Sequence, residues 1–128
     1  MVESREKIKS FMDLRTWQEA HKLVLLIYFL TKEFPSEEKF GLVNQMRRAV
    51  VSITSNIAEG FSRKSYKEKV QFYSQSMGSL TEIQNQLVIS RDVHYLSVKH
   101  YNQASEQLVL NQRILNGLIK KSKSIIYS

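Results

Sequence analysis

The stretch from Asn44 to Lys64, NQMRRAVVSITSNIAEGFSRK, decides the fold. Apolar side chains recur along it every three or four residues, which is the pattern of a helix with one buried face. Small polar residues and a paired arginine fill the other positions, and Gly60 is suited to end the helix as its C′ residue. The stretch therefore predicts one amphipathic helix that packs against other elements.

The sequence on either side predicts three more helices. Asp13 is placed to cap a first helix, which Pro35 stops at about Phe34 because the residue before a proline avoids the helical region. Ser36 is placed to cap the second helix, and Ser65 with Glu68 matches a capping box for the third. The third helix is expected to run to about Val93, and Ser97 is placed to cap a fourth that continues to about Ser124.

Four helices of similar length with short connections predict an all-α fold, an antiparallel up-down-up-down four-helix bundle. We expect one domain over residues 1–128, with the first ten or so residues as a flexible tail. The expected core positions are regularly spaced, and Gly78 and Ser79 beside them are small enough for close helix approach. These core positions are Val43, Met46, Val50, Ile53 and Ile57 in the second helix, Val70, Tyr73, Met77, Leu80 and Leu87 in the third, and Tyr101, Ala104, Leu108, Leu115, Leu118 and Ile119 in the fourth.

The bulk composition excludes several classes of protein. The chain has no cysteine, which rules out disulfides and thiolate metal sites. The longest apolar run, Leu23 to Leu30, is shorter than the about 20 residues that span a bilayer. No signal peptide is evident, so we expect a cytoplasmic protein without membrane contact. A net charge of +7 favours polyanionic partners, nucleic acid first, although the excess is spread along the sequence.

The run LVLLIYFL is apolar on every face of the first helix, and a helix of this kind is buried on more than one side. Since each helix of a four-helix bundle has an outer face, a second partner is expected, most simply another subunit. The predicted homo-oligomer interface consists of Leu23, Leu26 and Leu30, together with Val51 and Leu110, which point away from the core stripes of their helices.

No cofactor, metal or catalytic site is predicted. His21, His94 and His100 lack a ligand partner at helical spacing, and the glycines are too isolated to form a phosphate loop. Arg15 and His21 loosely match the Arg–His spacing of helical-bundle RNases of the HEPN class. A six-residue offset separates them by about 120° and about 9 Å on a regular helix, so a structural role for His21 is the simpler interpretation.

Basic residues give the better functional signal, because arginine and lysine bind phosphates. Asn56 and Glu59 are expected to hydrogen-bond across to the first helix or to a neighbouring subunit, or Glu59 to act as a carboxylate catalyst. Few aromatic residues that could stack on the bases of a single strand lie near the basic residues. They are Phe61, Tyr66 and Phe72. The predicted nucleic-acid contacts are Arg47, Arg48, Arg63, Lys64 and Lys67.

Several blocks of the chain carry a family resemblance. They are F-x-D-L-x-x-W-x-x-A from Phe11, Y-x-x-T-x-x-F-P from Tyr28, F-G-L-x-x-Q-x-R-R-A from Phe40, S-I-x-S-N-I-A-E-G-F from Ser52, and Gly78, Ser79, Leu80 and Glu82 in the third helix. Over about residues 11 to 95 the chain resembles the ribosomal-protein-like four-helix bundles encoded in intervening sequences of bacterial large-subunit ribosomal RNA genes. The accessory variability determinant of diversity-generating retroelements is a relative of these proteins.

The resemblance implies a homopentameric barrel with a positively charged surface. It also implies a nucleic-acid or ribonucleoprotein partner, since the retroelement relative is thought to bind nucleic acid and a reverse transcriptase. The leading hypothesis is thus a non-enzymatic homo-oligomer that binds RNA or DNA through basic surface residues. The alternative is a protein-interaction scaffold, or an accessory subunit of a nucleic-acid enzyme such as a reverse transcriptase.

Overall fold

The structure, a computed structural model, describes residues 7–128 as a bundle of four α-helices. These are α1 Arg15–Thr31, α2 Leu42–Ser62, α3 Tyr66–Asp92 and α4 Val98–Ile126, with short 3-10 turns at Phe11–Asp13 and Ser36–Glu38. Residues 7–128 include no β-strand. Within the same range, no helix combines the length and the apolar character that a membrane crossing requires.

The helices are arranged as a ring of four around one core. Each helix packs against two others: α1 and α3 both contact α2 and α4. Only residues 63–65 join α2 to α3, and residues 93–97 join α3 to α4, so these neighbours run antiparallel. The predicted all-α four-helix fold is confirmed.

The core is mainly apolar, and its side chains are almost completely buried. All five predicted core residues of α2 are buried, and Leu80, Leu87, Leu108 and Leu115 are each at most 1 % exposed. Val70, Met77, Tyr101 and Leu118 are half-buried and pack against this core instead of lying in it. Ile83, a core residue absent from the predicted stripe of α3, is fully buried.

Serine caps start α3 and α4 as the sequence predicts. The Ser65 hydroxyl accepts a hydrogen bond from the backbone N–H of Glu68 at 3.2 Å, and the Ser97 hydroxyl accepts one from His100 at 3.1 Å. After α3 the chain reverses at His94, the one non-glycine residue of the described range with a positive φ, 67°. This left-handed residue lets the backbone N–H groups of Tyr95 and Leu96 return to the carbonyl of Ser90, which satisfies the end of the helix.

The predicted capping residue of the first helix and the predicted start of α2 were wrong. Ser10, not Asp13, caps the first turn, and the Asp13 carboxylate instead accepts hydrogen bonds from the backbone of Lys9 and Ser10. Ser36 begins a 3-10 turn, and α2 starts six residues later at Leu42. The carboxylate of Glu38 provides the local bond there: its Oε1 accepts from the backbone N–H of Leu42 at 3.2 Å.

Gly60 does not end α2. It lies inside the helix, which continues to Ser62, and no glycine in the described range has a positive φ. A Cβ at Gly60 would lie 2.6 Å from Cε1 of Tyr73, so the glycine allows α3 to approach closely. Close approach was predicted at Gly78 and Ser79. Gly78 is exposed, and a Cβ there would have no neighbour within 4 Å, whereas the Ser79 hydroxyl lies 3.0 Å from that of Ser52 in α2. At Gly60 the approach is also close, because Tyr73 packs directly on the backbone of α2.

The N-terminal tail expected for about ten residues falls partly on residues 1–6, which lie outside the described range. From Ile8 onward the chain contacts the bundle. Ile8 lines a cavity with residues of α2, α3 and α4, and the backbone of Lys9 and Ser10 binds Asp13.

Candidate nucleic-acid interface

The fold gathers basic residues from three distant parts of the sequence at one end of the bundle. α1 and α3 begin at this end and α2 and α4 finish there, because consecutive helices alternate in direction. The segments that meet, residues 7–17, 59–72 and 117–128, carry ten Lys and Arg but three Asp and Glu. We call this region the basic end; its cations are Lys7, Lys9, Arg15, Arg63, Lys64, Lys67, Lys69, Lys120, Lys121 and Lys123.

The excess of seven positive charges at the basic end equals the net charge of the whole chain, +7. The other described residues, 18–58 and 73–116, carry eight Lys and Arg and seven Asp and Glu, so they are close to electrically balanced. Along the sequence the charge is spread out, but the antiparallel packing concentrates it. A concentrated patch attracts polyanions far more strongly than the same charges distributed over a surface.

Three of the five predicted contacts lie at the corner between α2 and α3. Arg63, Lys64 and Lys67 are all exposed. The Arg63 guanidinium stacks over the ring of Phe72 at 4.5 Å and forms a long ion pair with Glu59, 3.7 Å. Lys64 and Lys67 belong to none of the ion pairs found among residues 7–128, so their ammonium groups face solvent.

Arg47 has a different role from the other predicted contacts. Its Nε donates to the Thr31 hydroxyl at 3.0 Å, its Nη2 donates to the Tyr28 carbonyl at 3.4 Å, and its guanidinium lies 4.6 Å from the centre of the Tyr28 ring. These groups are near the C-terminus of α1, where a positive charge is favourable. Arg47 therefore ties α2 to α1.

Arg48 lies apart from the basic end. It precedes Arg63 by fifteen positions, which corresponds to about 22 Å along the axis of α2. It lines a shallow groove of about 600 Å³ on the outer face of α2. The predicted sites thus divide into one structural arginine, one isolated surface arginine and one group of three. The remaining groove residues are Tyr28, Asn44, Arg47, Val51, Ser52, Ser55, Asn56 and Glu59.

The polar residues of α2 bond differently from expectation. Asn56 donates to the carbonyl and hydroxyl of Ser52 within its own helix, at 2.9 and 3.1 Å. The contact that crosses between helices is made by Ser52 and Ser79, whose hydroxyls are 3.0 Å apart. Glu59 pairs with Arg63, and no hydrogen bond in the described range joins Glu59 or Asn56 to α1.

A small cavity opens at the basic end. It measures about 220 Å³ and lies where α2, α3 and α4 meet the segment before α1. Its wall is mainly apolar and aromatic and also includes two lysines. The lining residues are Ile8, Leu14, Phe61, Tyr66, Lys69, Tyr73, Leu118, Lys121, Ser122 and Ile125.

Lys69 is held in the wall of this cavity by both polar and aromatic contacts. Its Nζ donates to the carbonyl of Phe61 at 2.6 Å and, more weakly, to that of Gly60 at 3.4 Å. The ammonium also lies 5.4 Å from the ring centre of Phe61 and 5.6 Å from that of Tyr66. Burial lowers the pKa of Lys69, while the bonded carbonyls at the end of α2 favour its positive charge.

Tyr73 and Ser122 are the most deeply buried residues of the cavity wall, each 2 % exposed. The phenol of Tyr73 is the larger polar group of the two. Burial raises the pKa of this phenol to about 12, so the hydroxyl is protonated at neutral pH and able to donate. None of the hydrogen bonds among residues 7–128 involves this hydroxyl.

The predicted oligomer interface is partly misplaced. Leu23 and Leu30, 0 % and 5 % exposed, belong to the core of the single chain, and Leu26 is half-buried against it. The apolar side chains that α1 turns outward are Leu25 and Phe29, 58 % and 62 % exposed. A uniformly apolar run has no contrast between faces, so its pattern could not show which side faces the core. Of the other two predicted residues, Val51 is 37 % exposed and Leu110 is half-buried.

The residues considered for catalysis or metal binding have other neighbours in the described range. The His21 ring stacks on Trp17 with ring centres 4.7 Å apart, and Arg15 is exposed. Within residues 7–128, no three His, Asp or Glu side chains are grouped as ligands for one metal ion.

Comparison with protein families connects this basic bundle to a known group. Residues 12–117 match the model of the 23S rRNA-intervening sequence protein family. The chain belongs to this family. The resemblance to proteins of ribosomal RNA intervening sequences, seen over about residues 11 to 95, is thereby confirmed. No curated protein sequence matches the chain.

The fold of this family member is also found in a solved structure. A crystal structure of a protein with unknown function from the S23 ribosomal protein family, from Bacteroides thetaiotaomicron, is similar with a TM-score of 0.75. The two share 15 % sequence identity, and the match covers 82 % of this chain and 95 % of that one. At this identity the likeness shows a shared fold.

Neither the cavity nor the concentration of charge at the basic end of this family member was predicted from the sequence. The available signal was the alternation of Phe61, Tyr66 and Phe72 with Arg63, Lys67 and Lys69. The contributions of Lys121 and Ile125 carry no local signal, because they come from the far end of the chain.

Proposed function

We propose that this protein is a non-enzymatic nucleic-acid-binding bundle that holds the phosphates of RNA or DNA at its basic end. The observation that supports the proposal is the collection of ten cations against three carboxylates in one region. Each phosphate neutralised by a lysine or arginine releases bound counterions, which makes such binding strong at low salt. The family description refers to 23S rRNA intervening sequences, which favours RNA as the partner and a cytoplasmic location.

Within the basic end, Arg63, Lys64 and Lys67 are the first candidates for phosphate contacts. All three are exposed, and the two lysines lack ion-pair partners in the described range. Arg48 is a secondary contact, reached by a ligand that extends along α2. Arg47 acts on nucleic acid only indirectly, by holding α2 against α1.

The test is binding to a labelled oligonucleotide over a range of salt concentrations. Replacing Lys64 and Lys67 by glutamine should weaken binding and reduce the slope of log affinity against log salt by between one and two. The control is the double variant Lys39→Gln and Lys99→Gln, which removes two exposed lysines at the opposite end. Lack of binding at about 50 mM salt, where electrostatic affinity is high, or equal effects of the two variants would contradict the proposal.

The outer face of α1 supports a further part of the proposal, self-assembly. Leu25 and Phe29 are one helical turn apart and both mostly exposed, with Tyr28 beside them. Adjacent exposed apolar side chains favour a protein contact. We therefore propose a homo-oligomer, with the pentamer implied by the family resemblance as the leading form. The same face favours the second candidate function, docking of a partner such as a reverse transcriptase.

A further inference from the structure

The cavity at the basic end is not explained by phosphate contacts alone. Phosphates bind exposed cations, whereas this cavity has an apolar and aromatic lining and encloses about 220 Å³. That is smaller than the about 300 Å³ or more of pockets for drug-sized ligands. It equals the volume of about seven water molecules at about 30 Å³ each, which suits one planar ring system.

We propose that the cavity receives one unpaired base of a single-stranded nucleic acid whose phosphates lie on the neighbouring lysines. The inference rests on the proposed function and names its substrate class: single strands with accessible bases. A base inside a duplex is stacked and paired and does not reach such a pocket.

The cavity wall offers what an unstacked base requires. Phe61 and Tyr66 supply aromatic rings, and Tyr66 is 40 % exposed, so its ring is accessible from solvent. Leu118 and Ile125 of α4 supply apolar surface. Stacking on aromatic side chains is the usual way in which proteins hold single-stranded bases, because every base has a flat apolar face.

Two hydrogen-bond donors accompany these rings. The Lys69 ammonium has three N–H groups and two carbonyl partners, one of them at 3.4 Å, which leaves a donor for a ligand. The Tyr73 hydroxyl is protonated and makes no hydrogen bond among residues 7–128. Donors of this kind match carbonyl oxygens on a base edge, such as those of thymine or uracil.

The geometry also provides a place for the backbone of the strand. Lys64 lies two residues before the start of α3 at Tyr66, and Lys67 lies one residue after it. Both lysines are exposed. From α4, Lys121 lines the cavity and Lys120 is adjacent and exposed. A strand that crosses the basic end therefore meets cations of the α2–α3 corner and of α4 beside the cavity, with a base directed inward between them.

The test compares two strands of equal charge. One probe is a fluorescein-labelled oligo(dT) of about 12 nucleotides, which is within the usual site size. The other has the same number of phosphates but abasic sites in place of thymines. The wild-type protein should bind oligo(dT) more tightly than the abasic strand by roughly 5- to 150-fold, as expected for one stacked base.

Variants of Tyr66 identify the cavity as the cause. Tyr66→Ala should remove most of the preference for oligo(dT) and leave binding of the abasic strand unchanged, while Tyr66→Phe should keep the preference. Phe40→Ala is the control, since Phe40 is an aromatic residue 87 % exposed at the opposite end. Circular dichroism verifies that each variant is folded.

The outcomes separate this inference from the proposed function. Equal, salt-dependent affinity of the wild-type protein for both strands would overturn the base site and leave phosphate binding intact. A preference for oligo(dT) that survives in Tyr66→Ala would also overturn it. Failure of both strands to bind at about 50 mM salt would overturn the two proposals together.

Discussion

Individual residues acquire roles that depend on their neighbours across the bundle. Gly60 is the clearest case. Its place in the sequence suggests the end of a helix, whereas in the structure its lack of a side chain allows Tyr73 to pack on the backbone of α2. Arg47 is similar, since its pairing with Arg48 suggests a phosphate site while its hydrogen bonds hold Thr31 and Tyr28. Such roles follow from contacts between residues far apart in the chain, which local patterns do not contain.

Gly60→Ala should destabilise the protein by about 1–3 kcal/mol, because the new methyl group overlaps the Tyr73 ring. Gly117→Ala is the matched control. Gly117 lies inside a helix, and a Cβ added there would have no neighbour within 4 Å. Alanine at this position should therefore increase the free energy of unfolding by about 0.5–1 kcal/mol. Equilibrium unfolding in urea measures both changes. A Gly60→Ala variant as stable as the wild type would refute the close approach of α3.

Asp13 should make stability depend on acid pH. The backbone N–H groups of Lys9 and Ser10 hold the pKa of its carboxyl below the ordinary value of 3.8. A lowered folded-state pKa stabilises the protein above the ordinary pKa, and this contribution is lost as the pH falls through the lowered one. Asp13→Asn should therefore lose less stability than the wild type on acidification below about pH 4. Urea unfolding at several pH values tests this, with Glu33→Gln as a control at an exposed carboxylate.

At the scale of elements, the number of helices and both ends of α3 and α4 could be predicted from sequence. Ser65 and Ser97 cap α3 and α4 as expected, because a serine cap acts within one turn. The start of α2 and the rotation of α1 could not be predicted. Glu38 replaces Ser36 at the start of α2, and the uniform apolar run of α1 conceals that Leu23 faces inward while Leu25 faces outward.

Ser97→Ala should reduce stability by about 1 kcal/mol, since it removes the acceptor for the His100 N–H at the start of α4. Ser36→Ala should have little effect. Its side chain makes none of the hydrogen bonds found in residues 7–128, and α2 begins elsewhere. Thermal or urea unfolding of the two variants compares them directly. Equal losses would show that Ser36 has a capping role after all.

At the scale of the whole molecule, the topology decides where charge and apolar surface are presented. The presence of each helix could be predicted from its own segment of sequence. Only the alternating direction of the four helices brings Lys64 and Lys121 to one end of the bundle. The candidate site was therefore predictable in part. The lysines at the α2–α3 corner were identified, whereas the contribution of α4 and the cavity required the assembled bundle.

The outer face of α1 should govern assembly. Replacing Leu25 and Phe29 by glutamate places charges on that face without entering the core, since both side chains are mostly exposed. The variant should sediment as a smaller species than the wild type. Val98→Glu, at an apolar α4 residue 67 % exposed, is the control and should not change the sedimentation coefficient. A wild-type protein that is monomeric at micromolar concentration would refute the proposed homo-oligomer.

The concentration of charge at the basic end gives the molecule a large electric dipole moment along the bundle. The longest helix, α4, has 29 residues and is about 44 Å long, several times the Debye length of about 8 Å at physiological salt. A polyanion near the basic end is thus screened from the opposite end. If the protein binds nucleic acid as proposed, the electric field of an approaching strand would exert a torque on this dipole and turn the bundle before contact, so that encounters would be oriented with the cavity facing the strand.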